Sequence, residues 1–257
     1  MKEKIRQAAI LLFWLLMWQA AAAVIDNDII FVGPADVAVS LFTQAGTGAF
    51  YRTIFTSLSR ICLGFLSAFF AALILGSLSC RFSFLRELLS PVMLFFKSVP
   101  VASFVILALI WMGSKNLSVF ISFVVVLPMI YTATLSGLKS ADKELLEMAQ
   151  VFRLPLLKRI KAIYLPALIP YLMSSVSTAL GMSIKSGVAA EVIGVPDFSI
   201  GARLYTAKIY LSTADLFAWT LVIIGAAWLF ERGFLQLLRQ VNPAGNIRNT
   251  EETEVRI

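Results

Sequence analysis

Histidine is absent from the 257 residues, and with it go imidazole general bases, Ser-His triads and His-ligated metal centres. Cysteine occurs twice, at Cys62 and Cys80, in or at the end of one apolar run. Along a helix their 18-residue separation is about 27 Å, beyond disulfide reach, so neither a redox pair nor a metal site is expected. Charge is scarce too: 14% of residues are charged and 59% are hydrophobic, with a mean hydropathy of +0.86. Soluble domains run at about 25% charged and about 45–50% apolar. The excess excludes a soluble globule, which would aggregate through its apolar surface. Five or six spans of about 20 residues would place roughly 100–120 positions in lipid.

What is present is long hydrophobic runs and a formal charge of +7 with pI near 9.6. In a membrane chain such basicity sets topology before it implies a partner, and no nucleic-acid partner is expected. Apolar segments fall at 8–25, 61–79, 99–112, 117–131, 171–184 and 216–230. Lys2, Lys4 and Arg6 ahead of the first, with the small run 20–23 at its end, also resemble a signal peptide. The stretch exceeds the usual h-region of about 7–15 residues and further spans follow, so a retained first helix is expected.

With the N-terminus inside, the inner segments hold Lys2, Lys4 and Arg6; Arg81, Arg86 and Lys97; Lys139, Lys143, Arg153, Lys158, Arg159 and Lys161; and Arg232, Arg239, Arg248 and Arg256. These are sixteen of the 22 cations; Arg52, Arg60, Lys115, Lys185, Arg203 and Lys208 are the other six. The asymmetry predicts an all-α polytopic membrane protein of six transmembrane helices with both ends cytoplasmic. The expected divisions are 1–53, a first helix and outer loop; 54–232, the membrane core, with a large cytoplasmic loop at 138–166; and 233–257, a cytoplasmic tail without apolar periodicity.

That loop carries helix signals. Ser140 is a candidate N-cap, Asp142 and Glu144 suit a first turn, and Leu145, Met148, Ala149 and Phe152 recur at i, i+3, i+4 and i+7. Pro155 suits the first position of a second helix, 155–164, on which Leu156, Ile160 and Ile163 share a face, and Pro166 and Pro170 follow. Physics leaves two readings of this hairpin open: a membrane-surface amphipathic element, or a protein-docking knob.

The order Glu147-Met148-Ala149, Arg153 and Ile163-Tyr164-Leu165-Pro166 resembles the EAA signature of ATP-binding-cassette importer permeases: Glu-Ala-Ala, three residues, Gly, nine residues, Ile-x-Leu-Pro. Met148 replaces an alanine and Arg153 stands at the glycine. If that glycine serves a positive φ, arginine there costs about 1 kcal/mol or more, or the turn differs. Thr56-Ser57-Leu58-Ser59-Arg60 with Gly64, and Gly187-Val188-Ala189-Ala190-Glu191-Val192-Ile193-Gly194 with Ile200-Gly201, are similar to the nitrate, taurine and aliphatic-sulfonate branch. With Pro100 and Trp111-Met112-Gly113 the resemblance spans 56–230. It implies a multi-pass protein of a bacterial plasma membrane, pairing with an identical copy in lipid, with two cytoplasmic ATPase subunits and an extracytoplasmic solute-binding protein. Leu145, Glu147, Met148, Ala149, Phe152 and Arg153 would couple to the ATPase. The permease would need no catalytic residue, metal or bound cofactor of its own. The sequence holds no Gly-x-x-x-x-Gly-Lys-Ser/Thr loop, so ATP would be used by the partner.

For the pathway, Ser174, Thr178, Gly181 and Lys185 follow at i, i+4, i+7 and i+11, within about a 60° arc of one helix. Close packing through small residues is the alternative, but an ionisable Lys185 at membrane depth costs at least about 2.5 kcal/mol without water or a partner. Glu191 is expected to cap, or to pair with Arg203 or Lys208, and Phe95, Phe96 and Lys97 are candidates for an inner gate against simple aromatic packing. An intramembrane enzyme would need a nucleophile with a base, and a secondary carrier would be expected to show inverted repeats and buried carboxylates. The chain offers little for either.

Overall fold

The computed structural model describes residues 2–241, all of whose regular structure is helical. The helices are α1 (Lys2–Ile25), α2 (Pro34–Ala45), α3 (Gly48–Arg81), α4 (Ser83–Ser98), α5 (Val101–Lys139), α6 (Lys143–Val151), α7 (Leu156–Arg159), α8 (Leu165–Gly194), α9 (Ile200–Ile209) and α10 (Thr213–Val241). A π-turn, Ile160–Tyr164, joins α7 to α8. The all-α polytopic expectation holds: five helices are long and apolar enough to cross a membrane, Ile5–Ile25, Gly48–Arg81, Val101–Lys139, Leu156–Gly194 and Thr213–Leu238.

Six apolar runs were expected to form the spans, and the long helix α5 contains two of them. Its two arms, 101–112 and 114–139, meet at Gly113, whose φ of 70° and ψ of 174° break the helix. The chain folds back there. Phe104 and Phe120 stack with ring centroids 5.7 Å apart, where sixteen residues of straight helix would separate them by about 24 Å. The expected third and fourth segments are therefore the arms of a hairpin. Only glycine takes that φ without a Cβ clash, and no atom lies within 4 Å of where a Cβ would point.

The second arm of α5 is the centre of the bundle, packed chiefly against α8 and α3. Phe65, Phe69, Val126, Ile130, Leu172, Val176 and Leu180 form the largest apolar cluster, and Phe230 and Phe234 of α10 close over the Phe65 ring. Between apolar helices in lipid, attraction comes from close van der Waals packing and interhelical hydrogen bonds, which favours small residues. A Cβ on Gly64 of α3 would stand 2.3 Å from the Val119 carbonyl oxygen and 2.8 Å from Ser122 Cβ; one on Gly187 of α8 would stand 2.7 Å from Ile61 Cγ1 and 2.8 Å from Ser122 Oγ. Ser122 Oγ donates to the Ser183 carbonyl at 3.3 Å. Three helices thus cross at Gly64, Ser122 and Gly187.

Helices run past the apolar runs that mark them. The run 61–79 belongs to the 34-residue α3, and 171–184 to the 30-residue α8. Among the positions assigned to the tail, 233–241 continue α10, while 242–257 lie outside the described residues. The stretch 26–53, expected as an outer loop, contains α2, which begins with Pro34 after the extended Gly33. Its partner is α10: Asp215 Oδ1 accepts from Ser40 Oγ at 2.6 Å and from Gln44 Nε2 at 2.9 Å. By contrast α1 is exposed almost throughout and is held near its far end by Trp18, whose Nε1 donates to the Val32 carbonyl at 2.9 Å.

Gly64→Leu and Gly187→Leu are expected to force α3 and α8 off α5, lowering the thermal midpoint of the detergent-solubilised protein by several degrees in a fluorescence-detected melting assay. Gly113→Ala, in open space, should act through backbone strain alone and cost about 1–3 kcal/mol.

Candidate functional site

The loop between α5 and α8 starts differently from the sequence expectation. Ser140 is the C-cap of α5, its Oγ donating to the Gly137 carbonyl, and Asp142 is the N-cap of α6, its Oδ1 accepting from Glu144 N at 2.8 Å. The two hydroxyl- and carboxylate-bearing residues compete for one role. Asp142 prevails because it stands one residue from the first helical position, where a short side chain reaches the orphan amide.

The predicted stripe divides. Ala149 is 0% exposed and packs with Ala141 and Ile163, whereas Leu145, Met148 and Phe152 are 42%, 47% and 71% exposed. Glu147 is exposed as well. Val151, Leu156 and Leu157 add to the outward apolar surface. α6 therefore has one small residue seated on its own chain and larger apolar residues facing away.

Arg153 has φ of 49°, the left-handed conformation that a glycine would take without strain. The turn is a Schellman motif: Leu154 N donates to the Ala149 carbonyl at 2.9 Å and Arg153 N to the Gln150 carbonyl at 3.0 Å. Leu154 supplies the accompanying apolar contact beside Ala149. Two bonds at the helix end hold arginine in a conformation costing about 1 kcal/mol or more.

The second loop helix is shorter than expected. Pro155 is the N-cap of α7, not its first residue, and after one turn the chain widens into the π-turn, where Leu165 N donates to the Ile160 carbonyl. Pro166 explains the widening. It has no N–H for the Ala162 carbonyl and its ring would strike that carbonyl in a regular helix. The result is a nearly continuous helical rod, Leu156–Gly194, from loop to far end. A residue that sequence reasoning did not single out, Arg159, reaches from this rod back to α6; nothing local distinguished it from the other loop cations.

Along α8, Ser174, Thr178 and Lys185 are exposed and Gly181 is half-buried. No atom lies within 4 Å of a Cβ built on Gly181, so α8 meets no close neighbour at that position. The packed face is the other one, Val176, Ala179, Leu180, Ser183, Ile184 and Gly187. Beside the stripe, Ser177 Oγ donates to Glu231 of α10.

Glu191 caps, but does not pair with Arg203 or Lys208. Its buried Oε2 accepts from Ser57 Oγ at 2.7 Å and from Gly201 N at 3.2 Å, while Ser57 Oγ accepts from Ile200 N at 2.7 Å and Ser199 Oγ from Ala202 N at 3.0 Å. The first three amides of α9 are thereby satisfied, with a carboxyl group at the positive end of the helix. Gly201 is required by proximity, since a Cβ there would stand 2.3 Å from Glu191 Cβ. The two stretches that resemble the nitrate and taurine branch meet at this cluster. Near the opposite end, Lys97 Nζ donates to Thr132 Oγ1 at 2.9 Å, and Phe95 and Phe96 both lie against Phe104.

A family model described as binding-protein-dependent transport system inner membrane component matches residues 61–231, about two thirds of the chain. Among curated relatives, a probable ABC transporter permease protein of Brucella melitensis biotype 1 is 28% identical over 224 residues, covering 87% of this chain and 88% of that protein. The taurine transport system permease protein TauC of Escherichia coli K12 is 24% identical over 242 residues, covering 92% and 86%. The nitrate import permease protein NrtB of Synechococcus elongatus is 25% identical over 205 residues, covering 76% and 73%.

Relief of the strained turn is measurable. Arg153→Gly is expected to slow hydrogen exchange of the α6 amides up to about fivefold, the equivalent of about 1 kcal/mol, and Arg153→Val to accelerate it.

Proposed function

Since the chain belongs to the family of binding-protein-dependent transport system inner membrane components, the permeases of bacterial ABC transporters, we propose that it forms half of an import pathway for a small oxyanion and docks on a cytoplasmic ATPase through α6. Family membership makes it a non-enzymatic, multi-pass component of the inner membrane. The finer assignment rests on one observation: α6 turns Leu145, Met148 and Phe152 outward while Ala149 is anchored inward.

Exposed apolar side chains grouped on a loop rich in Lys and Arg, rimmed by polar residues, mark an interaction surface. A groove on an ATPase subunit covers it as a helix-in-groove contact, with Glu147 at its rim. The distribution of sixteen of 22 cations supports a cytoplasmic position for this end of the bundle. A second copy of the chain encloses the pathway, and a solute-binding protein delivers solute at the α9 end. ATP binding closes the ATPase pair, α6 is displaced, and the spans pass from inward-open to outward-open. The ATP chemistry belongs to the partner.

The exposed face of α8 suits the pathway because it is polar, unpacked and carries one cation, Lys185. A fixed positive charge attracts an anion where little water competes. The named solutes of two relatives, taurine and nitrate, each bear such an oxyanion group.

Leu145→Asp and Phe152→Asp are each expected to reduce co-purification of the ATPase subunit at least tenfold; undiminished association in both sinks the docking assignment. For the pathway, Lys185→Ala should leave assembly intact and lower uptake of taurine or nitrate by cells relying on this transporter at least tenfold, with Lys185→Arg retaining most of it. Normal uptake by Lys185→Ala would return the stripe to a packing role.

A further inference from the structure

A docking helix moves a span only if the joint between them is stiff. α6 and α8 are separate helices, and the chain between them turns through Arg153 at positive φ and Pro155 before α7 begins. Such a turn transmits a push poorly unless something braces it. The brace is Arg159. Its Nε donates to the Leu154 carbonyl at 2.9 Å and its Nη2 to the Ala149 carbonyl at 3.2 Å. Ala149 O also accepts from Leu154 N at 2.9 Å, so both of its lone pairs are used.

Two features make this contact mechanical as well as stabilising. First, the guanidinium is a planar fork: its Nη2 ties α7 to the Ala149 carbonyl of α6 while its Nε holds the Leu154 carbonyl of the turn between them, so the fork is fixed in orientation as it bridges, which one ammonium on a flexible stem would not be. Second, the acceptors are the last turn of α6 and the turn just after it, where helix carbonyls lack backbone partners and a cation is favoured. Arg159 itself is the last residue of α7, on the rod that continues through the π-turn into α8. Beneath it, Ala149 and Ile163 pack in one apolar cluster with Leu154 and Tyr164.

We infer that Arg159 is a positioning residue that makes α6 and α8 move as one lever, so that its loss separates ATPase closure from movement of the pathway without removing the ATPase. This rests on the docking reading of α6. The outward residues of that reading, Leu145, Met148 and Phe152, are left untouched by changes at Arg159.

The test uses the complete transporter, permease with its ATPase subunits, in nanodiscs. Spin labels are placed on Gln150→Cys in α6 and, separately, on Ala189→Cys in α8, both exposed, after Cys62→Ser and Cys80→Ser. Distances between the labels of the two copies are measured with and without ATP and vanadate. With Arg159 present, both pairs are expected to shift. In Arg159→Ala the Gln150 pair should still shift, the Ala189 shift should fall below half, and ATP hydrolysis should stay within about twofold; Arg159→Lys should lie between. An Ala189 shift equal to the parent's in both variants overturns the lever. Loss of the ATPase from both variants on purification overturns it too, because Arg159 would then shape the docking surface. If neither pair shifts in the parent complex, the docking reading fails instead.

Discussion

The closest approach in the bundle, where α3, α5 and α8 cross at Gly64, Ser122 and Gly187, governs what the remaining surfaces are free to do. In lipid, apolar side chains gain nothing by leaving a hydrocarbon solvent, so helices hold together through close contact and the few hydrogen bonds between them. Ser122 provides both, filling the gap left by two glycines and donating to the Ser183 carbonyl. This crossing commits one face of α8 to the interior. The opposite face, with Ser174, Thr178 and Lys185, is thereby left unpacked within the chain.

The ends of α8 are secured by different means. At one end Glu191 and Ser57 supply acceptors for the first amides of α9, tying α3, α8 and α9 into one corner. At the other, the missing N–H of Pro166 widens the helix into a π-turn, and α7 carries it to the loop. Inside that loop the signature positions have separate physical duties. Residue 149 must be small because it is fully buried beside Ile163, residue 153 must turn with positive φ, and Pro166 sets the change of helical gauge. Arg153 shows that a Schellman turn tolerates a strained side chain when both of its bonds form.

Much of the fold was legible in the linear pattern because membrane burial imposes a coarse demand: long runs of apolar residues, bounded by charge. That demand revealed the spans and the loop, and the loop's spacing disclosed the family. Helix ends were less legible, since a helix passes beyond the lipid-facing stretch that advertises it; α3 and α8 both do so. Ser140 was a plausible cap by composition, but the choice between it and Asp142 depends on where α5 stops, which local spacing does not encode. The resemblance pointed to the stretches that hold Ser57, Glu191 and Gly201, without indicating that they touch. Arg159 carried no mark at all, being one basic residue in a basic loop.

Sequence alone determined the solvent of this protein and its class: scarcity of charge and long apolar runs leave a helical membrane component, and the spacing from Glu147 to Pro166 identifies its kin. Only the tertiary structure decided that two apolar runs form one hairpin at Gly113, that the stripe on α6 divides between an anchor and an exposed patch, and that Lys185 lies on an open face. The reason is that periodicity specifies which residues share a side of a helix. What that side meets is set by neighbours far away in the chain, through contacts as close as a missing Cβ allows.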